Sequence, residues 1–269
     1  GMQTGANSIF GKHSASDIER LSVPEKFYFR RATNSDIQRY HIARSDEYIL
    51  YLEEAPSLDA LPSPLRDYLF LNSSRLKQRA AYKRGNCEWW RFTWPLHREY
   101  YTKDRILCPY LAKQNRFVLD EETEFLSLTD TTVIFEPEGG ILDFKYLLGL
   151  LNSKLLTFRF HGIGKLKGGG IYEYFESTIS KLPIHILDLA KSADKDVHDQ
   201  IVTLVDRMLL LHKRKAGEKN PETIRRLESD ITTTDRRIDR LVYVLYGLSG
   251  NEIKFVEQGA AARASMPRG

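Results

Sequence analysis

The sequence predicts an α+β chain: short strands mixed with helices over about residues 5–188, then an antiparallel helical hairpin over about 194–247. Three observations predict it. Compact apolar runs such as "EYILYLEEAP" and "TTVIFEP" are bounded by proline or aspartate turn signals, which is the mark of short buried strands. Longer apolar stripes at helical spacing follow serine, aspartate or proline start signals. From Val197 onward the spacing becomes heptad-like, with Ile201, Leu204, Met208 and Leu211 on one stripe.

In chain order, "EYILYLEEAP" reads as a buried strand ended by Pro56. "LPSPLRDYLFLNSSRLKQRAAYKR" reads as a helix started by Ser63 and Pro64, with Leu65, Leu69, Leu76 and Ala80 as its stripe and Gly85 as its end. Asn72 leaves a polar gap in that stripe. "RILCPYL", "RFVLD", "EFLSL" and "TTVIFEP" read as four short strands. "DFKYLLGLLNSKLLTFRF" reads as one helix capped by Asp143, "HGIGKLKGGGIYEYF" as a glycine-rich loop, and "STISKLPIHIL" as a closing strand. After the polar link "KAGEKNP", Asn220 and Pro221 open the second arm of the hairpin, with Ile224, Leu227, Ile231 and Ile238 inward. Residues 258–269 are small and polar and are expected to be flexible.

Composition bounds the function. With 269 residues and 42% hydrophobic content, the chain can bury a core without metals or disulfides, and its two cysteines, Cys87 and Cys108, are expected to be free thiols of a cytoplasmic protein. No apolar run reaches the roughly 18–20 residues that cross a bilayer. The sequence has no phosphate-binding GxxxxGK[ST], no GxGxxG after a strand, no HExxH or CxxC metal pattern and no GxSxG elbow. No catalytic or metal site is therefore assigned. Glu252 and Lys254 form an E-x-K pair of a kind too common to carry a nuclease by itself, and His97 beside Arg98 reads as a structural or phosphate-contacting histidine.

Charge is concentrated. The net charge is +4, yet residues 75–116 hold eleven Lys or Arg against three acids, a surplus of eight, so the remainder is net negative. The same window holds all three tryptophans, Trp89, Trp90 and Trp94, within "KRGNCEWWRFTWPLHREYY". Large indoles anchor a core, and adjacent ones on a strand cannot face the same side. Cations around them suit a polyanion, with the indoles fixing a loop that presents the charges outward.

The order of several segments resembles a known family. "SDIQRYHI", "PLRDYLFLNSSRLKQR", the stretch from Trp90 to Arg98, "RILCPYLAKQNRFVLD", "YLLGLLNSKLLTF" and "ISKLPI" are similar in content and order to the TaqI-like C-terminal specificity domain, the target-recognition domain of adenine-specific DNA methyltransferases and type IIG restriction-modification enzymes. "HDQIVTLVDRMLLLHKR" and "DRRIDRLVYVLYGLSGNEIKFVE" resemble the helices that end many type IIG polypeptides, so the likeness spans about residues 28–257. The resemblance implies recognition of double-stranded DNA. It departs from the whole enzymes in lacking an Asn-Pro-Pro-Tyr-type motif and a glycine-rich S-adenosylmethionine loop. It therefore implies a recognition portion without catalysis of its own and no cofactor in this chain, with S-adenosylmethionine in a methyltransferase catalytic domain acting in cis or in trans.

Residue chemistry assigns two layers of contact. Lys83, Arg84, Arg91, Arg98, Lys103, Lys165 and Lys167 are the candidate phosphate contacts that set register. Gln114, Asn115 and Arg116, with Arg79, are the candidates for base edges, where a bidentate pair discriminates by roughly 1–3 kcal/mol. Each has a plainer reading as a solvated charge or, for Arg116, a structural ion pair. Two other functions stay open on the sequence: a protein-interaction module whose hairpin docks a partner, and a free-standing nuclease using Glu252 with other acids.

Overall fold

The computed structural model describes residues 2–43, 46–96, 103–121, 125–135 and 142–264, with the backbone alone for 260–264. The chain is α+β, as its patterning predicts, with several small sheets and a long helical hairpin. It forms two compact units that interleave in sequence: residues 1–36, 44–104 and 120–131 make one, and residues 37–43, 105–119 and 132–269 make the other. This grouping cuts across the expected boundary near 188–194, because the hairpin packs on the helix Phe144–Asn152 and shares its core.

The first unit is built on a three-stranded sheet. Tyr28–Arg31 lies at its centre, antiparallel to Tyr48–Leu50 and parallel to Phe125–Leu126. The "EYILYLEEAP" run supplies Ile49, Leu50, Tyr51 and Leu52, all buried, as expected of its apolar continuity. Phe92 packs edge-on against Phe10 and Tyr51, and Trp90 is buried in the same cluster. The expected helix over 63–84 is three short helices, Ser63–Leu71, Ser73–Lys77 and Ala80–Lys83. The first break falls at Asn72, the polar gap in the stripe, whose side-chain amide turns back to donate to the Tyr68 carbonyl at 2.8 Å. The second falls at Arg79, whose extended backbone turns its side chain inward. Gly85 follows with φ +74°, a left-handed turn that glycine adopts without strain.

The second unit has a sheet of Arg105–Pro109 between Val118–Asp120 and Thr131–Phe135, and a second sheet in which Ile171–Glu173 lies between Lys165–Gly168 and Leu111–Ala112, antiparallel to both. Asp143 caps the helix Phe144–Asn152 by accepting from the amides of Lys145 and Tyr146. The single helix expected from 143 to 160 is broken at Ser153, whose hydroxyl caps a new helix, Lys154–Ile163. Gly149 allows close packing: a Cβ there would come within 2.8 Å of the Ile201 side chain. The hairpin consists of Ser192–Gly217 and Pro221–Leu245, the latter capped by Asn220. Its inward positions Ile201, Leu204, Val205, Met208, Leu211, Ile238 and Val242 are buried, as the heptad-like spacing requires.

One further expectation gives way. "STISKLPIHIL" is a short helix, Glu176–Ile179, followed by irregular backbone, and it adds no strand to either sheet of this unit. The last helix is Gly250–Ala264, with Ser249 and Glu252 bonded at its start; its backbone runs into the segment expected to be flexible, of which residues 265–269 lie outside the described residues. Glu252 of the E-x-K pair thus accepts from the Ser249 amide and hydroxyl, a helix-capping role. Both thiols are free, and burial pushes Cys108 well above the ordinary thiol range. Among the described residues no helix is long and apolar enough to cross a membrane, and no three His, Cys, Asp or Glu side chains gather as a metal site.

Candidate nucleic-acid interface

In the second unit, the strand Leu111–Ala112 leads directly into "KQNRF". This loop is pinned at three points. The buried Asn115 donates from Nδ2 to the Leu151 carbonyl at 2.7 Å and accepts from the Tyr174 hydroxyl at 3.0 Å. The Asn152 side chain pairs with Phe117 like a strand neighbour: its amide donates to the Phe117 carbonyl at 2.8 Å, and its oxygen accepts from the Phe117 amide at 2.9 Å. His161 Nε2 sits 2.7 Å from the Lys113 carbonyl. Between these anchors Gln114 is exposed and Arg116 half-buried, with burial lowering the affinity of its guanidinium for its proton. A glutamine amide held on a fixed loop can meet the paired donor and acceptor of an adenine edge.

The neighbouring hairpin supplies cations. Lys165–Gly168 pairs with Ile171–Glu173, and the tip Gly168, Gly169 and Gly170 has φ of +126°, +54° and +74°. Only glycine takes such a run of positive φ readily, which explains the triple glycine. Strand alternation puts Lys165 and Lys167 on one face with Glu173, while Leu166 stands opposite with Tyr172. Both lysines are exposed, and their ammonium groups lie 3.3 and 2.9 Å from the Glu173 carboxylate. The Tyr110 hydroxyl donates to that same carboxylate at 2.7 Å. The Lys167 contact, followed by the Tyr110 hydroxyl and Lys165, holds the Glu173 carboxyl down to about 2. Two ammonium groups share one carboxylate, so the face keeps a positive charge. Phe175, 45% exposed, stands edge-on to Tyr110 beside it.

The first unit treats its cations differently. Arg79 is buried and donates to the carbonyls of Leu76, Thr4 and Trp89 at 3.0, 2.6 and 2.7 Å. Arg91 lies over the Trp90 ring at 4.2 Å and donates to Glu88 and to the carbonyls of Glu53 and Ala55. Trp90 is core, Trp89 is half-buried under Lys77, and Trp94 is 65% exposed with its backbone paired to Gln3. Lys83, Arg84 and Lys103 are exposed. Arg98 and His97 lie outside the described residues.

Three assignments are thereby corrected. Arg79 and Asn115 cannot present their donors to a base edge in this structure, because both are buried and hydrogen-bonded to the chain itself. Arg91 is an anchor of the loop after Trp90, with its guanidinium enclosed by carbonyl and carboxylate oxygens. The structure brings Gln114, Arg116, Lys165 and Lys167 into one unit, and Lys83, Arg84 and Lys103 into the other. Tyr110, Glu173 and Phe175 escaped the sequence reading. For Glu173 and Phe175 the signal was the alternation of "KLK" against "YEYF" around "GGG", a hairpin pattern that places lysines opposite a glutamate; Tyr110, 63 residues before Glu173, had none.

A family profile described as the TaqI-like C-terminal specificity domain matches residues 32–184, more than half of the chain. Two curated proteins are 28% identical over 102 residues: the type II methyltransferase M.HincII of Haemophilus influenzae and the type II methyltransferase M.HindII of Haemophilus influenzae strain Rd. The aligned stretch is 37% of this chain and 20% and 19% of those relatives, so it spans about a fifth of their length.

Proposed function

The chain belongs to the TaqI-like C-terminal specificity domain family, and from that membership we propose that it is the double-stranded DNA recognition part of a restriction-modification enzyme of the N6-adenine methyltransferase type. The observation that carries the reading is the loop 113–117, buried at Asn115 and exposed at Gln114, beside a hairpin that holds Lys165 and Lys167 at the surface. Gln114 and Arg116 read base edges, and Lys165 and Lys167 hold phosphates. Lys83, Arg84 and Lys103 are the candidate phosphate contacts of the first unit, taken by itself. Methyl transfer belongs to a methyltransferase catalytic domain working in cis or in trans, and S-adenosylmethionine is its cofactor. The glycine-rich segment of this chain is a hairpin turn between two strands, not the strand-to-helix loop that cradles such a cofactor.

Selection from a randomised duplex library with the full chain tests this. One short motif is expected to emerge, and Gln114→Ala is expected to relax one of its positions by roughly 1–3 kcal/mol of discrimination. A library that returns no motif, or a chain that binds no duplex at low salt, overturns the proposal.

A further inference from the structure

The second hairpin helix, Pro221–Leu245, carries as many acids as arginines, so its composition alone shows no net charge. Folding separates the two signs. In "DRRIDRL", Asp235 turns inward to take both arms of Arg39 at 2.8 and 2.6 Å, and the buried Asp239 accepts from the Lys154 amide at 2.9 Å with the Lys154 ammonium at 3.4 Å. Glu228 reaches the other arm and pairs with Lys215 at 2.7 Å. Arg236, Arg237 and Arg240 are left on the outer face, all exposed, and among the described residues they have no ion pair or side-chain hydrogen bond. They lie within one helical turn, about 6 Å along the axis. On the same face the preceding turn presents Thr232 and Thr233, and the next presents Val244.

We propose that this face is a second DNA-backbone site, in which Arg236, Arg237 and Arg240 hold phosphates. The site lies outside residues 32–184, the stretch that matches the family. The proposal goes beyond the base-reading loop and rests on DNA being the ligand. Guanidinium and hydroxyl groups are what phosphates take up. A protein partner would need buried aromatic or aliphatic anchors at the centre of its patch, and Val244 is the one apolar side chain here. Like charges within one turn repel, and a polyanion relieves that repulsion. The inward acids make the face specific to the folded hairpin, since Arg39 and Lys154 neutralise the carboxylates that would otherwise lie beside it.

The test uses the full chain and a labelled 30-base-pair duplex of mixed sequence, titrated from about 20 to 200 mM NaCl. The variant Arg236→Gln/Arg237→Gln/Arg240→Gln is expected to lower the slope of log affinity against log salt by about 2–3, at about 0.9 per phosphate. The corresponding triple lysine variant is expected to keep the slope. If the triple glutamine variant is not folded by circular dichroism, Arg237→Gln alone is expected to lower the slope by about 0.9. A wild-type chain that binds duplex while the folded glutamine variant shows the same slope overturns this site and leaves the base-reading loop standing. An acidic protein is then the occupant to seek. A wild-type chain with no salt-dependent duplex binding overturns both proposals.

Discussion

The tryptophan segment and the glycine-rich hairpin are both cationic in sequence and opposite in use. Around the tryptophans, Arg79 and Arg91 donate to carbonyls of Thr4, Leu76, Trp89, Glu53 and Ala55. On the hairpin, Lys165 and Lys167 stand exposed on a strand whose backbone is already paired. The backbone explains the difference. Broken helices and irregular segments leave carbonyls without partners, and a guanidinium with five fixed donors can satisfy several at once. A hairpin satisfies its own ladder, so its two ammonium groups serve no backbone carbonyl and share the single carboxylate of Glu173 at the surface, which leaves a net positive charge. A count of positive charge in a sequence window therefore overstates the charge available to DNA wherever the local fold is irregular.

The sharpest way to break this comparison is to remove one cation of each kind. Arg79→Met strands three carbonyls in a buried site and is expected to destabilise the chain by about 3–5 kcal/mol in denaturant unfolding. Measured where the variant is still folded, its DNA salt slope is expected to match wild type. Lys165→Gln/Lys167→Gln should act mainly on binding: a salt slope lower by about 2, with a smaller loss of stability than Arg79→Met that comes from leaving the buried Glu173 carboxylate without its ammonium partners. If Arg79→Met lowered the slope more than the lysine pair, the division between anchoring and presented cations would fail.

Much of the framework was legible, for local reasons. Asp143 and Asn220 were readable as caps because a capping side chain sits next to the amides it accepts from. The hairpin was readable because heptad spacing is a local pattern. Asn72 was legible as a gap in a stripe, though not as a break, because a side-chain amide can follow either course. The inward turn of Arg79 was not legible, since one acceptor, Thr4, is 75 residues away. Nor was the burial of Asn115, which depends on Leu151 and Tyr174. The interleaving of the two units was hidden for the same reason: the chain changes unit near residues 37, 44, 105, 120 and 132, and no composition shift marks those points. The charge segregation in "DRRIDRL" was half legible, because Asp235 and Asp239 are four apart and share a face, but only Arg39 and Lys154 show that the face is the inner one.

A smaller effect sharpens the account of the hairpin face. Glu173 has its carboxyl depressed from an ordinary 4.5 to about 2 in the folded chain, first by Lys167 and then by Tyr110. A depressed carboxyl stabilises the fold fully above the unfolded value and loses that contribution as pH falls through the folded one. The contribution is therefore complete above about pH 4.5 and fades toward pH 2. Other depressed carboxyls, such as Asp17 and Asp199, titrate in the same direction. The informative measurement is thus the difference in unfolding midpoint between wild type and Glu173→Gln across pH 5 to 2. That difference is expected to shrink with acid. A difference independent of pH would mean that the carboxylate does not organise the two lysines.

The smallest expected effect lies at Lys77, which shares features of both regions. Its residue is exposed like the hairpin lysines, yet its ammonium lies 5.3 Å from the Trp89 ring centre, in the segment where arginines turn inward. An exposed cation over an aromatic face contributes about 0.5–1 kcal/mol, and an unbranched apolar stem covers the same ring without the charge. Lys77→Met is therefore expected to cost less than about 1 kcal/mol in denaturant unfolding, with a shift in tryptophan emission as the charge leaves Trp89. A loss as large as that of Arg79→Met would place Lys77 among the anchors. A change in salt slope with no change in stability would place it among the presented cations, and would extend the DNA-facing surface of the first unit to the rim of its tryptophans.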